Sequence, residues 1–332
     1  MSEHRFLMAL KAALPSAASL GLKGGREKLA GINNLLNEDL ASRGQDAEPV
    51  NTGVAAQFDC DVLVIAPLIL ELRMAVLAFG CSFDAPTGRD KALPYFEVIL
   101  PRKAGLKPIR VRLATLNRQT NVRSGPRTST LLSRHRPKVA IMTGIAGARE
   151  DQVLGRVSAF ETVTYVAGGV EVPDGKDPQN QQFEISEVMY NLLHSYEDIR
   201  SQNSAGTRFA ERLYKAIPQI DGEKPEPSEL AAFVPKFSVK TLMSGETLRK
   251  DGGFTEQALD LDRRMTMVEM EAAGFAYACE ERNVDWAVFR GSCDYANLQK
   301  NDVWQRVAAL NCGLTVCDCL ESAFRTGDEI SY

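Results

Sequence analysis

A three-layer α/β fold, with a central mixed sheet between helical layers, is what the order of apolar segments predicts. Three observations predict it. Short continuous apolar runs at residues 62–66 (VLVIA), 139–142 (VAIM) and 286–289 (WAVF) have the length and character of strands buried on both faces. Between such runs lie stretches with apolar residues at helical spacing, for example Leu70, Met74 and Leu77. Charge then collects where the last run stops, at Arg290 and Asp294, and the carboxyl edge of an open α/β sheet is where ligands bind.

Composition narrows the function classes. Of 332 residues, 44% are hydrophobic and 25% charged, ordinary for a folded chain long enough for one large domain or two small ones. The net charge of −4 provides no general nucleic-acid footprint, so any anion binding must be local. No apolar run reaches membrane-spanning length and the first thirty residues lack a secretory pattern, which predicts a cytoplasmic protein. Seven cysteines without a CxxC pair, and His4, His135 and His194 scattered along the chain, predict neither a disulfide framework nor a metal site. No cofactor is expected.

Taken in order, residues 1–57 read as an appended helical arm and linker, either a docking or oligomerisation arm or a layer on the main domain. The main domain spans residues 58–326. Its first strand, residues 62–66, precedes a helix containing Glu71, which by itself reads as a solvated helix charge. Strands at 95–100 and 109–116 follow. The segment RQTNVRSGPRTST then places Arg118, Arg123 and Arg127 before a helix, either as an anion cradle at the helix N-terminus or as a solvated basic loop. The strand at 139–142 breaks into a glycine turn at 143–147, where backbone N–H groups at Thr143 and Gly144 can approach a ligand closely. Arg149, just beyond, is a weaker candidate for a phosphate.

Strand character continues over 160–172, and residues 174–236 form an insertion with helices near 186–196 and 209–217. It reads equally as a lid or interface and as a surface elaboration. A strand at 268–271 alternates Val268 and Met270 with Glu269 and Glu271, sending both carboxylates to one face, with Glu271 at the start of a helix. That helix offers Ala272, Ala273, Phe275, Ala276 and Cys279 to a core. Asp294 reads as the cap of a following helix. The terminal helix, residues 302–324, carries Cys312, Cys317 and Cys319 as core residues.

Several of these segments form an ordered set. VEMEAAG resembles the ribose-binding Met-Glu segment of the nucleoside phosphorylase and methylthioadenosine/S-adenosylhomocysteine nucleosidase superfamily, and RGSCDYA resembles the segment whose aspartate protonates the leaving purine. VIAPLILEL resembles the nucleosidase opening strand, whose glutamate activates water, and SGETL the segment that frames the purine. CDYANLQKNDVWQRVAA is similar to phosphorylase-like domains of bacterial defence and fungal immune-receptor-like proteins, some of which hydrolyse purine nucleotides. Three positions depart from the pattern: Ile145 stands for a serine near the water site, Arg156 for an aspartate, and Leu248 for an aromatic residue against the base.

The resemblance implies a purine N-glycosidase. Asp294 becomes the acid for the leaving base and Glu71 the base for water. Glu271 grips the ribose hydroxyls, with Met270 packed on the sugar and Glu269 beside it, either as a second contact or fixing the backbone. Arg290 orients Glu71 or contacts an anion. Thr143, Gly144 and Leu248 complete the substrate contacts. Hydrolysis ranks ahead of phosphorolysis because Glu71 favours water, and a nucleotide sensor without turnover is the reading from another class. The substrate is a purine nucleoside or nucleotide, with water or phosphate as co-substrate. The family also implies a homo-oligomer.

Overall fold

The chain divides after Ala56 into two units. The computed structural model describes residues 58–90, 92–101, 108–166, 170–172, 175–177, 179–246, 253–297 and 302–323, all in the second unit. The expected arm at 1–57 and the site candidate Leu248 lie outside the described residues.

In chain order, β1 (Cys60–Ala66) leads into α1 (Ile69–Ala78), and β2 (Gly88–Asp90), β3 (Leu93–Leu100) and β4 (Ile109–Thr115) precede α2 (Asn121–His135). Next come β5 (Pro137–Ala148), β6 (Val157–Tyr165), the small hairpin β7 (Val170–Val172) and β8 (Gly175–Asp177), and β9 (Gln181–Glu184). The helices α3 (Glu187–Ser201), α4 (Asn203–Ala216) and α5 (Pro227–Ala232) follow. Finally β10 (Phe237–Ser244), α6 (Phe254–Leu261), β11 (Met265–Glu269), α7 (Ala272–Glu280), β12 (Asp285–Asp294) and α8 (Gln305–Ala323) close the domain.

The sheet has ten strands in the order β11-β10-β6-β12-β5-β1-β4-β3-β2, with β9 on β6. The three expected apolar runs are its neighbours β1, β5 and β12, all parallel. Because β11 also pairs antiparallel with β5, at Val268↔Gly147, the strands β5, β12, β6, β10 and β11 close on themselves. Closure satisfies backbone groups that an edge would leave open, and it draws the ends of β5, β11 and β12 together. One buried cluster joins α1, α3, α4 and α8 to one face of the sheet, and a second joins α2 and α7 to the other. The three-layer α/β architecture is therefore present.

Four local expectations are corrected. The glycine segment 143–147 and the charged segment 290–294 are strand, because they pair with each other, Arg290 beside Gly144 and Ser292 beside Ala146. The strand expected at 268–271 is Met265–Glu269, so Met270 and Glu271 fall beyond it and strand alternation does not set the direction of Glu271. Helix α2 begins at Asn121, so Arg123 and Arg127 are helical although Ser-Gly-Pro reads as a loop. Contact with α7 supports that turn, since a Cβ at Gly125 would lie 3.3 Å from the Gly274 carbonyl oxygen. Finally, α1 buries Leu72, Ala75 and Val76 as well as Met74. It packs against both the sheet and α8, whose Gly313 leaves 3.0 Å for an added Cβ against the Ala75 Cα.

The insertion at 174–236 is part of the core layer. Met189, Leu193 and Tyr196 of α3 and Phe209 and Leu213 of α4 join the same cluster as α8, and the Tyr196 hydroxyl donates to Asp318 at 2.7 Å. The expected helical stretches are these two helices.

Candidate active site

The closed end of the sheet gathers three glutamates around one guanidinium. β12 delivers Arg290, which is 0% exposed, with Nη2 2.5 Å from Glu269 Oε2 and 3.7 Å from Glu271 Oε2. Glu269 ends β11 and accepts the backbone N–H groups of Glu271 at 3.0 Å and Ala272 at 2.9 Å, which fixes the first turn of α7. Glu271 is the residue before that helix, and its Oε1 accepts the Thr120 N–H at 3.3 Å. Glu71, in the first turn of α1, accepts the Leu68 N–H at 2.7 Å on one oxygen and the Ile145 N–H at 2.9 Å on the other.

Gly144 shows how tightly these groups meet. A Cβ there would overlap Arg290 Nη1 and Glu71 Oε1 together, and both side chains are pinned by burial and hydrogen bonds. Gly144→Ala is expected to cost about 1–3 kcal/mol of stability through this overpacking and to displace Glu71. Thermal unfolding together with turnover checks it; wild-type values for both would contradict the contact.

Burial pushes the Glu71 carboxyl up to about 6, although Arg290 and the two amide donors pull it down. Burial also raises Glu271, and the Glu269 charge adds to the effect. Arg290 loses solvation too, but the charges of Glu269, Glu71 and Glu271 outweigh that loss and raise its pKa, so it stays a cation.

Asp294, the last residue of β12, is 4% exposed. The register of β12 on β5 shifts between Ser292 and Asp294, which sets Asp294 beside Gly147. Its Oδ1 accepts the Ala296 N–H at 2.8 Å, and the Cys293 thiol reaches Oδ2 at 3.3 Å. No helix begins there among the described residues; the side chain closes a tight turn in which Ala296 has φ 51°. Along β5, Ile145 anchors Glu71 and Gly147 adjoins Asp294, positions about 7 Å apart in a strand.

Several assignments change in this geometry. Arg290 is enclosed and engaged by the protein's own carboxylates, Glu269 and Glu271. Glu269 is also anchored on the backbone at the start of α7. The Thr143 hydroxyl turns to Cys312 of α8 at 3.2 Å, and Gly144 contributes the space its missing side chain leaves. Met270 is half-buried next to Glu271. Arg149 grips Asp151 through Nε at 2.7 Å and Nη2 at 2.8 Å, and donates from Nη1 to the carbonyls of Arg263 and Met265. It is thereby removed as a phosphate contact. Arg127 pairs with Asp90 at 3.1 Å, whereas Arg118 and Arg123 are exposed at the entrance to α2.

Two departures noted in the sequence leave the frame intact. Ile145 acts through its backbone N–H, and Arg156 through its carbonyl, which accepts from the Ser292 N–H at 2.9 Å. Sequence reasoning did not single out Thr120, Asn121 and Ser124, whose only signal was a polar segment read for its arginines, or Ser244, quoted only as the first residue of SGETL; hydrogen bonds place all four around Glu271 and the start of α7.

The family model described as the phosphorylase superfamily matches residues 124–321. A protein of Escherichia coli (strain KTE188) named ATP nucleosidase Cap17 is 28% identical over 265 residues, 78% of this chain and 51% of the relative. An uncharacterised Sinorhizobium fredii protein, y4jS, is 26% identical over 75% of this chain and 58% of the relative. The chain thus spans about half the length of these curated relatives. Among solved structures, a 5′-methylthioadenosine/S-adenosylhomocysteine nucleosidase from Neisseria meningitidis matches with a TM-score of 0.54 and 18% identity, covering 79% of this chain and 99% of that one. Futalosine hydrolase of Helicobacter pylori matches with a TM-score of 0.53 and 14% identity, covering 80% and 98%. These likenesses establish the fold.

Proposed function

Because the chain belongs to the phosphorylase superfamily, we propose that it hydrolyses the N-glycosidic bond of a purine nucleoside or nucleotide and releases the free base. One observation carries the choice of water over phosphate. Three buried glutamates share a single buried arginine that Glu269 and Glu271 already engage, so Arg290 is not free to bind an inorganic phosphate dianion, and a neutral water is the better fit. Glu71, held by two amides and raised to about 6, is ionised near neutral pH yet basic enough to take a proton from that water. Glu271, raised to about 8 by burial and by the Glu269 charge, pairs with the ribose hydroxyls, and positive charge developing on the sugar draws it toward its anionic form, with Met270 against the ring. Asp294 gives its proton to the departing base. The name of the Escherichia coli relative supports a purine nucleotide and adenine release from ATP as the finer reading, and a defence role is what the resemblance of CDYANLQKNDVWQRVAA implies.

The deciding assay is release of free adenine from adenosine, AMP and ATP, with and without phosphate. Base release independent of phosphate supports hydrolysis, strict dependence identifies a phosphorylase, and binding without release identifies a sensor. The pH profile of kcat/KM follows from Glu71. Its folded pKa lies above its ordinary value of 4.5, so protonation, and with it loss of the base, occurs as pH falls through about 6. An acid limb near pH 6 is expected; a flat profile down to pH 4.5 would exclude Glu71 as the base. The same shift makes this group's contribution to stability largest below pH 4.5 and lost as pH rises through about 6.

Exposed Arg118 and Arg123, next to the Thr120 amide that meets Glu271, support recognition of the substrate's phosphates. Replacing both by Ala is expected to raise KM for a nucleotide by about tenfold or more while sparing the nucleoside, with the difference shrinking as salt rises. Equal effects on both substrates would remove the phosphate role. The chain is further proposed to be a cytoplasmic homo-oligomer in which residues 1–57 form an appended arm. Light scattering at micromolar concentration checks the assembly, and a fully active monomer would contradict it.

A further inference from the structure

The first residue of α2 carries a buried amide that helix formation does not demand. Asn121 is 6% exposed. Its Nδ2 donates to the Gly245 carbonyl at 2.9 Å, and its Oδ1 accepts from the Ser244 hydroxyl at 3.1 Å and from the Gly274 N–H at 2.9 Å. Gly245 follows β10 in the SGETL segment, and Gly274 lies in the first turn of α7, just after Glu271. The neighbours reinforce the tie. The Ser124 hydroxyl donates to the Glu271 carbonyl at 2.7 Å, and the Ala273 N–H donates to the Ser244 hydroxyl at 3.2 Å. There is no room for another arrangement, since a Cβ at Gly274 would overlap the Asn121 carbonyl oxygen. Thr120, whose N–H meets Glu271, is held at φ 77°, a region a β-branched residue occupies only when its surroundings enforce it.

Resting on the purine nucleosidase reading, we propose that Asn121 is a positioning residue that ties the segment 244–246 to the turn carrying Glu271, so that base recognition and the ribose grip are set as one unit. The chemistry of the side chain fits that task. A primary amide offers a donor to the Gly245 carbonyl and an acceptor to two donors at once. A carboxylate of the same shape keeps the acceptor but sets an oxygen against that carbonyl, and a buried polar atom left without its partner is costly.

Two variants separate this role from a general loss of stability. Asn121→Asp breaks the contact to the Gly245 carbonyl and keeps the acceptor for Ser244 and Gly274, so kcat/KM for the purine substrate should fall about ten- to a hundredfold while cleavage of p-nitrophenyl riboside, which has no purine, stays within about threefold. Asn121→Ala releases both sides and should lower both substrates. Equal losses on the two substrates with Asn121→Asp, or wild-type kinetics in both variants, would overturn the proposal. If the wild type cleaves neither substrate, the nucleosidase reading fails by itself, and amide hydrogen exchange at Gly274 decides the positioning role. Faster exchange in Asn121→Ala supports it, and unchanged exchange overturns it. Should Asn121→Ala not fold, Ser244→Ala removes one donor to Asn121 and is judged by the same exchange measurement.

Discussion

Asp294→Asn is expected to lower purine release by about 10²–10⁴-fold, the range in which general acid catalysis contributes, with ligand binding retained. The substitution keeps the shape and can keep the carbonyl oxygen on the Ala296 N–H, so the turn that Asp294 closes survives. What disappears is a transferable proton at the end of β12. A purine leaves poorly as an anion, so the missing proton should appear in kcat more than in KM. The measurement is initial rate against substrate, with binding of free adenine as the control. Wild-type rates in a verified folded preparation would show that Asp294 is only the turn-forming residue its hydrogen bond to Ala296 describes.

Glu71→Gln is expected to be as damaging to hydrolysis and more informative. The carboxylate accepts one N–H on each oxygen, from Leu68 and from Ile145. A glutamine presents an NH₂ group to one of those donors, so the variant loses a hydrogen bond as well as the base. The stability change should nevertheless stay within about 1–3 kcal/mol, because the unfavourable ionisation of a buried carboxyl is removed with it. Hydrolysis should fall to background at every pH, and the acid limb near pH 6 should vanish. Base release that survives only with added phosphate would assign the enzyme to phosphorolysis, whereas full hydrolytic activity would exclude Glu71 altogether.

How much of this was legible in the sequence depends on the range of the interaction involved. The strand runs at 62–66, 139–142 and 286–289 were readable because a strand buried on both faces is apolar at every position, and they lie side by side as β1, β5 and β12. The helix after Glu271 was readable for the same kind of reason, since Ala272, Ala273, Phe275, Ala276 and Cys279 are all buried. Segment ends were less legible. Glycines at 144 and 147 read as a turn because glycine is common in turns, yet they remain in β5 to admit Arg290, Glu71 and Asp294.

The sequence by itself determined the layered α/β class, and its resemblance to an ordered set of family motifs supplied the candidates Glu71, Glu271 and Asp294; read alone, Glu71 was a solvated helix charge and Asp294 a cap. Only the tertiary structure decided their roles toward one another. Whether Arg290 meets a substrate or the protein's own glutamates depends on the closing of β11 onto β5, a contact between residues more than a hundred positions apart. Whether Arg149 is free depends on Asp151 and on two carbonyls from the chain before β11. Burial and long-range pairing set the charge state and the orientation of a side chain, and neither is written in the spacing of its neighbours.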